Sequence, residues 1–113
     1  MAKPVIYGIK NCNTMQKAMT SLKNQGLDFD FHDYKKSSIT EARIKEWFGL
    51  AAWEGFINRQ GTTWKNLSEE ERRAVITPED AIKLMIEKPS LIKRPILEMD
   101  KKLIIGLDPT VYI

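Results

Sequence analysis

The chain is predicted to fold as an α/β protein with a mixed four-stranded sheet, and three features of its sequence support this. An apolar run, an amphipathic helix and an alternating run follow one another in the first 34 residues, which predicts a β-α-β unit. Two alternating runs near the end of the chain predict a β-hairpin. Between these parts, residues 35–93 carry helix-start signals, so a helical insertion is expected to join the two half-sheets.

The β-α-β unit begins with a mainly apolar run from Pro4 to Ile9, which is typical of a buried strand. Apolar residues then recur at the spacing of one helix face, at Met15, Ala18, Met19 and Leu22. Gly26 is suited to the left-handed cap that ends such a helix. The run LDFDFHDY alternates apolar and polar residues, which predicts a half-exposed strand. A helical crossover of this length predicts that the two strands are parallel.

Helix starts are recognisable at three places in residues 35–93. Ser38 and Glu41 have the spacing of a capping box, as do Ser68 and Glu71. The run TPED supplies the third start, with Pro78 at a first-turn position that tolerates proline. The aromatic residues near the first two helices are expected to pack the helical layer rather than to stack on nucleobases: Trp47, Phe48, Trp53, Phe56 and Trp64.

The last part of the chain reads as an antiparallel hairpin, with PILEM and KLIIG as strands and DK as the turn. The final run, LDPTVYI, leaves room for a turn or one short helix. A chain of 113 residues fits one domain with a hydrophobic core of its own. We therefore expect a single domain over residues 1–113, with residues 35–93 as its helical insertion.

The amino-acid composition indicates which kinds of partner the protein binds and in which cellular compartment it is expected. Apolar residues make up 42% and charged residues 29% of the chain, and the net charge is +3, with the basic residues scattered. This favours small anionic partners over nucleic acid. No apolar run is long enough for a signal peptide or a membrane span, so a cytoplasmic protein without membrane contact is expected. No long apolar surface demands a dimer, so a monomer is expected.

Cys12 is the only cysteine, and it lies where the first strand should give way to the first helix. The N–H groups at a helix N-terminus lack intrahelical partners, and the peptide dipoles add partial positive charge there. Both effects stabilise a thiolate, so the pKa of the Cys12 thiol should fall below its ordinary value of about 8.5. The Thr14 hydroxyl is a further candidate donor to the sulfur. The polar neighbours Asn11, Asn13 and Thr14 favour exposure, which makes Cys12 a candidate nucleophile.

Other interpretations of this cysteine compete with nucleophilic chemistry. A lone cysteine is often a small buried apolar residue with no reactivity. An internal disulfide is excluded, and Cys12 with His32 supplies too few ligands for a zinc cluster, so no metal is expected. His32 is the only imidazole and reads as a solvated surface residue, which gives a cysteine–histidine hydrolase little support. Met15 stands where a CxxC motif has its second cysteine, so an outside thiol must clear any adduct on Cys12.

Two arginines stand out by their setting. Arg59 lies in the loop-like run FINRQG, and Arg94 lies just before the predicted hairpin. The planar guanidinium suits paired hydrogen bonds to a carboxylate or an oxyanion. The residues alone do not set these two above other arginines, for which solvated surface charge is the ordinary interpretation. Pro95 begins a strand, where proline is tolerated, and the sequence does not predict whether its peptide bond is cis.

Three runs of the chain resemble the arsenate-reductase-related (ArsC-related) family, which includes the glutathione-linked YffB-like proteins and the Spx-like regulators. YGIKNCNTMQKA looks like the YffB-like signature around the active cysteine, and INRQGTTWK and SLIKRPIL resemble two further blocks. The likeness spans residues 5–106. It implies a thioredoxin-like fold with a helical insertion and a redox-active Cys12. It also implies that Arg59 and Arg94 line an anion site beside the sulfur, faced by Pro95 as a cis proline.

The resemblance favours a glutathione-dependent thiol reductase, with glutathione as co-substrate, no bound cofactor, and glutaredoxin as a further candidate partner. Arsenate reductases of the family carry a histidine four residues before the cysteine and a third arginine after the hairpin. This chain has Gly8 at the first position and no arginine beyond Arg94. Spx-like regulators usually carry a CxxC switch, which Met15 removes. The alternatives are an Spx-like regulator that binds RNA polymerase, a true arsenate reductase, and a relative without catalysis.

Overall fold

Two segments that are distant in sequence build the sheet of this protein, and the segment between them is helical. The structure is a computed structural model and describes residues 3–113. The sheet unit comprises the chain up to Ser37 together with Arg94–Ile113, and the helical unit comprises Ser38–Lys93. The predicted insertion begins three residues earlier, at residue 35. The expectation of a single domain over residues 1–113 stays a prediction.

The described residues of the sheet unit, 3–37 and 94–113, form four strands and two helices: β1 (Val5–Gly8), α1 (Asn13–Asn24), β2 (Asp30–Asp33), α2 (Tyr34–Ser37), β3 (Ile96–Met99) and β4 (Lys102–Ile105). The strand order is β2-β1-β3-β4, with β1 parallel to β2 and both other pairs antiparallel. The predicted α/β class and the mixed four-stranded sheet are therefore confirmed. The β2 strand starts at Asp30, later than the alternating pattern suggested.

The core of the sheet unit lies between α1 and one face of the sheet. Six buried apolar residues from β1, α1, β3 and β4 form it: Ile6, Met15, Ala18, Leu22, Leu97 and Ile104. Each large apolar side chain buried in this way contributes about 1.5–3 kcal/mol. Three of the four positions that predicted the apolar face of α1 are in this cluster, so the helical period located the core-facing side correctly.

The helical unit has four helices: α3 (Glu41–Phe48), α4 (Thr62–Lys65), α5 (Glu69–Arg73) and α6 (Pro78–Glu87). Two short 3-10 helices, Trp53–Phe56 and Pro89–Leu91, complete it. At its centre the fully buried rings of Trp47 and Phe56 stack with centroids 5.7 Å apart and an interplanar angle of 4°. Two of the five aromatic residues noted in the sequence thus form the core of this unit.

The helix starts were predicted with one error. Ser68 and Thr77 cap α5 and α6 with complete capping boxes, and Pro78 occupies the first turn of α6. Ser38 does not cap α3, because its φ of 52° places it in the left-handed region. Thr40 takes this role, and its hydroxyl accepts a hydrogen bond from the Arg43 N–H at 3.2 Å. Within residues 3–113, no helix is both long and apolar enough to cross a membrane.

Candidate active site

The strand β1 and the helix α1 together place the Cys12 thiol at one end of the sheet. Cys12 is the N-cap of α1, with an extended backbone at φ −130° and ψ 128°. Its carbonyl oxygen accepts the first intrahelical hydrogen bond, from the Gln16 N–H at 3.0 Å. The residue is half-buried and its side chain contacts the α1–sheet core. The thiol is therefore at the junction predicted from the sequence, and it is not sealed inside the core.

The surroundings of Cys12 lower the pKa of its thiol. Partial burial, the largest single influence, raises this pKa, but the other contributions together outweigh it. The N–H groups of Met15 and Thr14 favour the thiolate, the Arg94 guanidinium attracts it, and the Thr14 hydroxyl donates to it. The Cys12 side chain forms no capping hydrogen bond with α1 in this structure, so these N–H groups are available to a thiolate. The helix end and one cation thus bias the sulfur toward its nucleophilic form.

The antiparallel pairing of β1 with β3 places Arg94 and Pro95 near Cys12. Tyr7 on β1 pairs with Ile96 on β3 in antiparallel register, so the residues just before Ile96 lie beside the end of β1. The Arg94–Pro95 peptide bond is cis, Pro95 is buried, and Arg94 is half-buried. No carboxylate within residues 3–113 forms an ion pair with Arg94. The sheet therefore brings Cys12, Arg94 and Pro95 to one end of the unit.

The other predicted site residues are more exposed. Asn11 and Asn13 are exposed, and Asn13 lines an open groove of about 540 Å³ along α1. Arg59 is exposed in the helical unit, and its guanidinium carbon lies 5.3 Å from the centroid of the Trp64 ring. This distance is typical of a cation–π contact. A role for Arg59 at an anion site stays a prediction.

Comparison with known proteins shows which family this chain belongs to. A sequence model of the ArsC family matches residues 7–112, which is nearly the whole chain. The chain belongs to the ArsC family. This confirms the predicted family, and with the strand order above it confirms a thioredoxin-like α/β fold of the arsenate-reductase-related type.

Several ArsC-family relatives and related structures cover almost the full chain. The solved structure of the YffB protein has a TM-score of 0.90 and 40% sequence identity, covering 97% of this chain and 96% of that one. An arsenate reductase (ArsC) related protein from Brucella melitensis has a TM-score of 0.79 and 42% identity, covering 98% and 92%. The regulatory protein MgsR of Bacillus subtilis is 30% identical over 106 residues, covering 91% of this chain and 82% of MgsR.

Two of the three departures from the family pattern, Gly8 and Met15, contact each other in this ArsC-family chain and form one packing feature. The Met15 side chain is completely buried and lies over Gly8. A Cβ atom at Gly8 would overlap the Met15 Sδ and would lie 2.6 Å from its Cε. A larger side chain at position 8 therefore requires Met15 to move or to be smaller. The sulfur of Met15 fills the space that a histidine at position 8 would need.

His32 is less exposed than predicted, and it belongs to an aromatic cluster that the sequence did not indicate. His32 was expected to be a solvated surface residue, but it is half-buried and its ring centroid lies 4.9 Å from that of Tyr7. Tyr34 joins the same cluster, 6.4 Å from Tyr7 and 6.0 Å from His32. The alternation of β2 identified the face of the sheet on which His32 lies, but not that aromatic residues of neighbouring elements share this face.

The described part of the chain, residues 3–113, holds no group of three or more His, Cys, Asp or Glu side chains that could bind a metal ion. The site itself combines a thiol with a lowered pKa and a nearby guanidinium. This arrangement suits attack on an electrophilic sulfur or on an oxyanion, with the anionic part of the substrate next to Arg94.

Proposed function

We propose that this ArsC-family protein is a glutathione-dependent thiol reductase of the cytoplasm that uses Cys12 as its nucleophile. The observation that carries the proposal is the position of Cys12 as the N-cap of α1, where the Met15 and Thr14 amides and Arg94 lower the pKa of its thiol. A thiolate is the reactive form in thiol–disulfide exchange. A half-buried sulfur at this position is accessible to a substrate while its charge is stabilised.

The reaction begins when the Cys12 thiolate attacks a sulfur of a glutathionylated substrate. The substrate's disulfide bond breaks, the substrate thiolate leaves with the electron pair, and a Cys12–glutathione disulfide forms. A second glutathione thiolate then attacks this disulfide at the glutathione sulfur. Oxidised glutathione is released, and the Cys12 thiolate is restored. In sum, one mixed disulfide is reduced and two glutathione units are joined as oxidised glutathione.

The need for an outside thiol follows from the residues around Cys12. The chain has one cysteine, and the third position after it holds Met15, which is completely buried. No thiol of the same chain can therefore resolve the mixed disulfide. Glutathione as co-substrate, or a small redox protein such as a glutaredoxin, supplies the second thiol. The reaction needs no bound cofactor and can be carried out by a monomer.

The arginines are proposed to hold the anionic groups of the substrate. Glutathione carries two carboxylates, and the guanidinium fork matches the geometry of a carboxylate. Arg94 is supported by its electrostatic effect on Cys12 and by the lack of an ion pair with any carboxylate of residues 3–113. Arg59 is the second guanidinium of the proposal. Its support is its exposure and its position in the block that resembles the family.

The direct test is to incubate the purified protein with oxidised glutathione and to measure its intact mass. We expect one glutathione adduct per chain, located on Cys12 and removed by reduced glutathione. The Cys12→Ser variant is the control and should form none. A wild-type protein that stays unmodified, although its thiol reacts with a small alkylating reagent, would contradict the glutathione dependence.

A regulatory role is the second candidate, and the similarity to the regulatory protein MgsR favours it. In this reading the chain acts by binding RNA polymerase rather than by catalysis. A pull-down with the C-terminal domain of the polymerase α subunit separates the two candidates. Specific capture that persists in Cys12→Ser supports the regulator, whereas a lack of capture together with glutathione adduct formation supports the reductase.

Arsenate reduction is the third candidate, and the similarity to the arsenate reductase related protein of Brucella melitensis motivates it. Gly8 and the lack of an arginine beyond Arg94 count against it. The test measures arsenite formed from arsenate in the presence of reduced glutathione and glutaredoxin. Steady turnover that is lost in Cys12→Ser would establish arsenate as a substrate.

A further inference from the structure

The side chain of Tyr34 combines nearly complete burial with an unsatisfied hydroxyl. Tyr34 begins α2 directly after β2, and the residue is 4% exposed. Its ring is stacked on Tyr7 at an interplanar angle of 27° and meets the edge of His32 at 64°. Across residues 3–113, no group forms a hydrogen bond with its hydroxyl. A buried hydroxyl without a partner is destabilising, so its presence in this structure calls for an explanation.

The sheet register places Tyr34 at the same end of the sheet as Cys12. Gly8, the last residue of β1, pairs with Asp33 on β2, and Tyr34 follows directly. On the other side of β1, Tyr7 pairs with Ile96, and Arg94 lies two residues before it. Tyr34 and Arg94 therefore flank the end of β1 that leads to Cys12.

Electrostatics links the same three groups. The Arg94 guanidinium lowers the pKa of the Cys12 thiol and also acts on the Tyr34 hydroxyl. Burial, the larger influence on Tyr34, raises the pKa of its hydroxyl, so that it stays protonated at neutral pH. A guanidinium has only donors, and a protonated phenol has one donor. The end of the sheet beside Cys12 thus holds two donor groups, the half-buried guanidinium of Arg94 and the buried hydroxyl of Tyr34.

We propose that Tyr34 is a substrate-binding residue whose hydroxyl donates a hydrogen bond to the anionic group that Arg94 binds. The ligand class is a carboxylate or an oxyanion attached to the group that reacts with Cys12. The inference rests on the proposed function for the role of Cys12 as nucleophile, and it adds a second donor to the anion site. It also assigns the unsatisfied hydroxyl a partner that arrives with the substrate.

The test compares two alkylating reagents of similar size on Cys12, the anionic iodoacetate and the neutral iodoacetamide. The same Cys12 thiolate attacks both reagents and displaces iodide, so the ratio of their rates cancels any change in thiolate fraction and reports attraction for the carboxylate. Tyr34→Phe keeps the ring and removes only the hydroxyl. We expect it to lower the iodoacetate-to-iodoacetamide ratio about tenfold, the size of a lost hydrogen bond to a charged group.

The matched control is Tyr112→Phe. Tyr112 also has a buried hydroxyl without a partner within residues 3–113, and its ring packs on the α1–sheet core. Its substitution should leave the rate ratio at the wild-type value. A Tyr34→Phe ratio equal to that of the wild type and of Tyr112→Phe would overturn the inference. Near-ultraviolet circular dichroism of each variant checks that the aromatic packing is intact.

The reagents contain no glutathione, so the two proposals can fail separately. A reduced ratio in Tyr34→Phe, in a protein that forms no glutathione adduct, would support the anion site and contradict the glutathione dependence. A normal glutathione adduct with an unchanged ratio would support the reductase and remove Tyr34 from the site.

Discussion

The helix starts of the two units differ in what their N-cap residues do. In the helical unit, Ser68 and Thr77 cap α5 and α6 with oxygen atoms, and each forms a reciprocal capping box with an acidic residue of the first turn. In the sheet unit, the N-cap residue of α1 is Cys12, which makes no side-chain capping bond, and the first turn of α1 has no acidic residue. In α5 and α6, side-chain oxygen atoms accept hydrogen bonds from N–H groups of the first turn. In α1, the N–H groups of the first turn remain available to the Cys12 sulfur.

The N-caps of α5 and α6 therefore stabilise their helices, whereas the N-cap of α1 favours a reactive thiolate. An oxygen cap stabilises its helix by about 1 kcal/mol, and an acidic residue in the first turn adds to this by interacting with the helix dipole. The same acidic charge beside Cys12 would raise the pKa of the thiol and oppose the thiolate. The composition of the first turn of α1, with Asn13, Thr14 and Met15, therefore keeps the thiolate favoured at the expense of an optimal cap.

The largest expected effect comes from replacing Cys12, the N-cap of α1, by serine, which is an ordinary N-cap residue. Cys12→Ser should abolish glutathione adduct formation completely, because no other thiol exists in the chain. The free energy of unfolding should stay the same or rise by up to about 1 kcal/mol, since serine is a favoured N-cap residue. Intact mass and urea denaturation measure the two quantities. A clear loss of stability would mean that the thiol is held by packing rather than by the helix end.

The second prediction concerns the packing of α1 against β1 at Met15 and Gly8. Gly8→Ala places a Cβ against the Met15 side chain and should destabilise the protein by about 1–3 kcal/mol through overpacking. Met15→Ala should cost about 2–5 kcal/mol by leaving a cavity in the core. In the double variant the overlap disappears, so the loss should be smaller than the sum of the two. Additive losses in denaturation would show that the two positions do not share this space.

The third prediction tests the ordinary caps. Thr77→Ala should lower the free energy of unfolding by about 1 kcal/mol and should leave the alkylation rate of Cys12 unchanged. Ser68→Ala is the matched variant on α5, with the same expectation. Thermal unfolding and iodoacetamide kinetics give the two readouts. A changed thiol rate in either variant would contradict the separation of roles between the units.

The capping boxes also predict a direction of pH dependence. Hydrogen bonds from the Thr77 side chain and from the Ile76 and Thr77 amides lower the pKa of Asp80. The Ser68 backbone and side chain lower the pKa of Glu71 in the same way. A carboxyl whose pKa is lower when folded stabilises the protein above its unfolded pKa of about 4, and this contribution is lost as the pH falls. The destabilisation by Thr77→Ala should therefore shrink in acid.

The smallest expected effect is a change in the pH dependence of Cys12 itself. Arg94→Gln removes the cation that favours the thiolate, so the pKa of the thiol should rise and alkylation should begin at higher pH than in the wild type. Lys93→Gln, at the exposed neighbouring position, is the charge-matched control and should have the smaller effect. Iodoacetamide rates measured across pH provide the midpoint for each variant. An unshifted midpoint in Arg94→Gln would remove Arg94 from the site.

Local sequence signals predicted much of the fold because their physics acts within a few residues. The helix starts at Ser68 and Thr77, the turn between β3 and β4, and the apolar face of α1 are of this kind. Ser38 was predicted wrongly because α2, which was not recognised, ends directly before it and leaves it with a positive φ. Thr40, two residues later, has the extended backbone that an N-cap needs.

The candidate site was predictable only in part, for a related reason. The strand–helix junction located Cys12, but the effect of Arg94 on its thiol depends on the pairing of β1 with β3, which the residues alone do not specify. The unsatisfied hydroxyl of Tyr34 depends on neighbours from several elements. Its one sequence signal was weak, namely a tyrosine directly after the second strand, at the end of the sheet that leads to Cys12.

The most direct test of this account is a pH titration of the Cys12 thiolate, followed by its ultraviolet absorbance in the wild type, with Cys12→Ser as the blank. The account predicts one titration with a midpoint below the ordinary thiol value of about 8.5, because the α1 amides and Arg94 outweigh partial burial. A midpoint at or above that value would contradict it, since burial would then dominate and the start of α1 would not hold a thiolate.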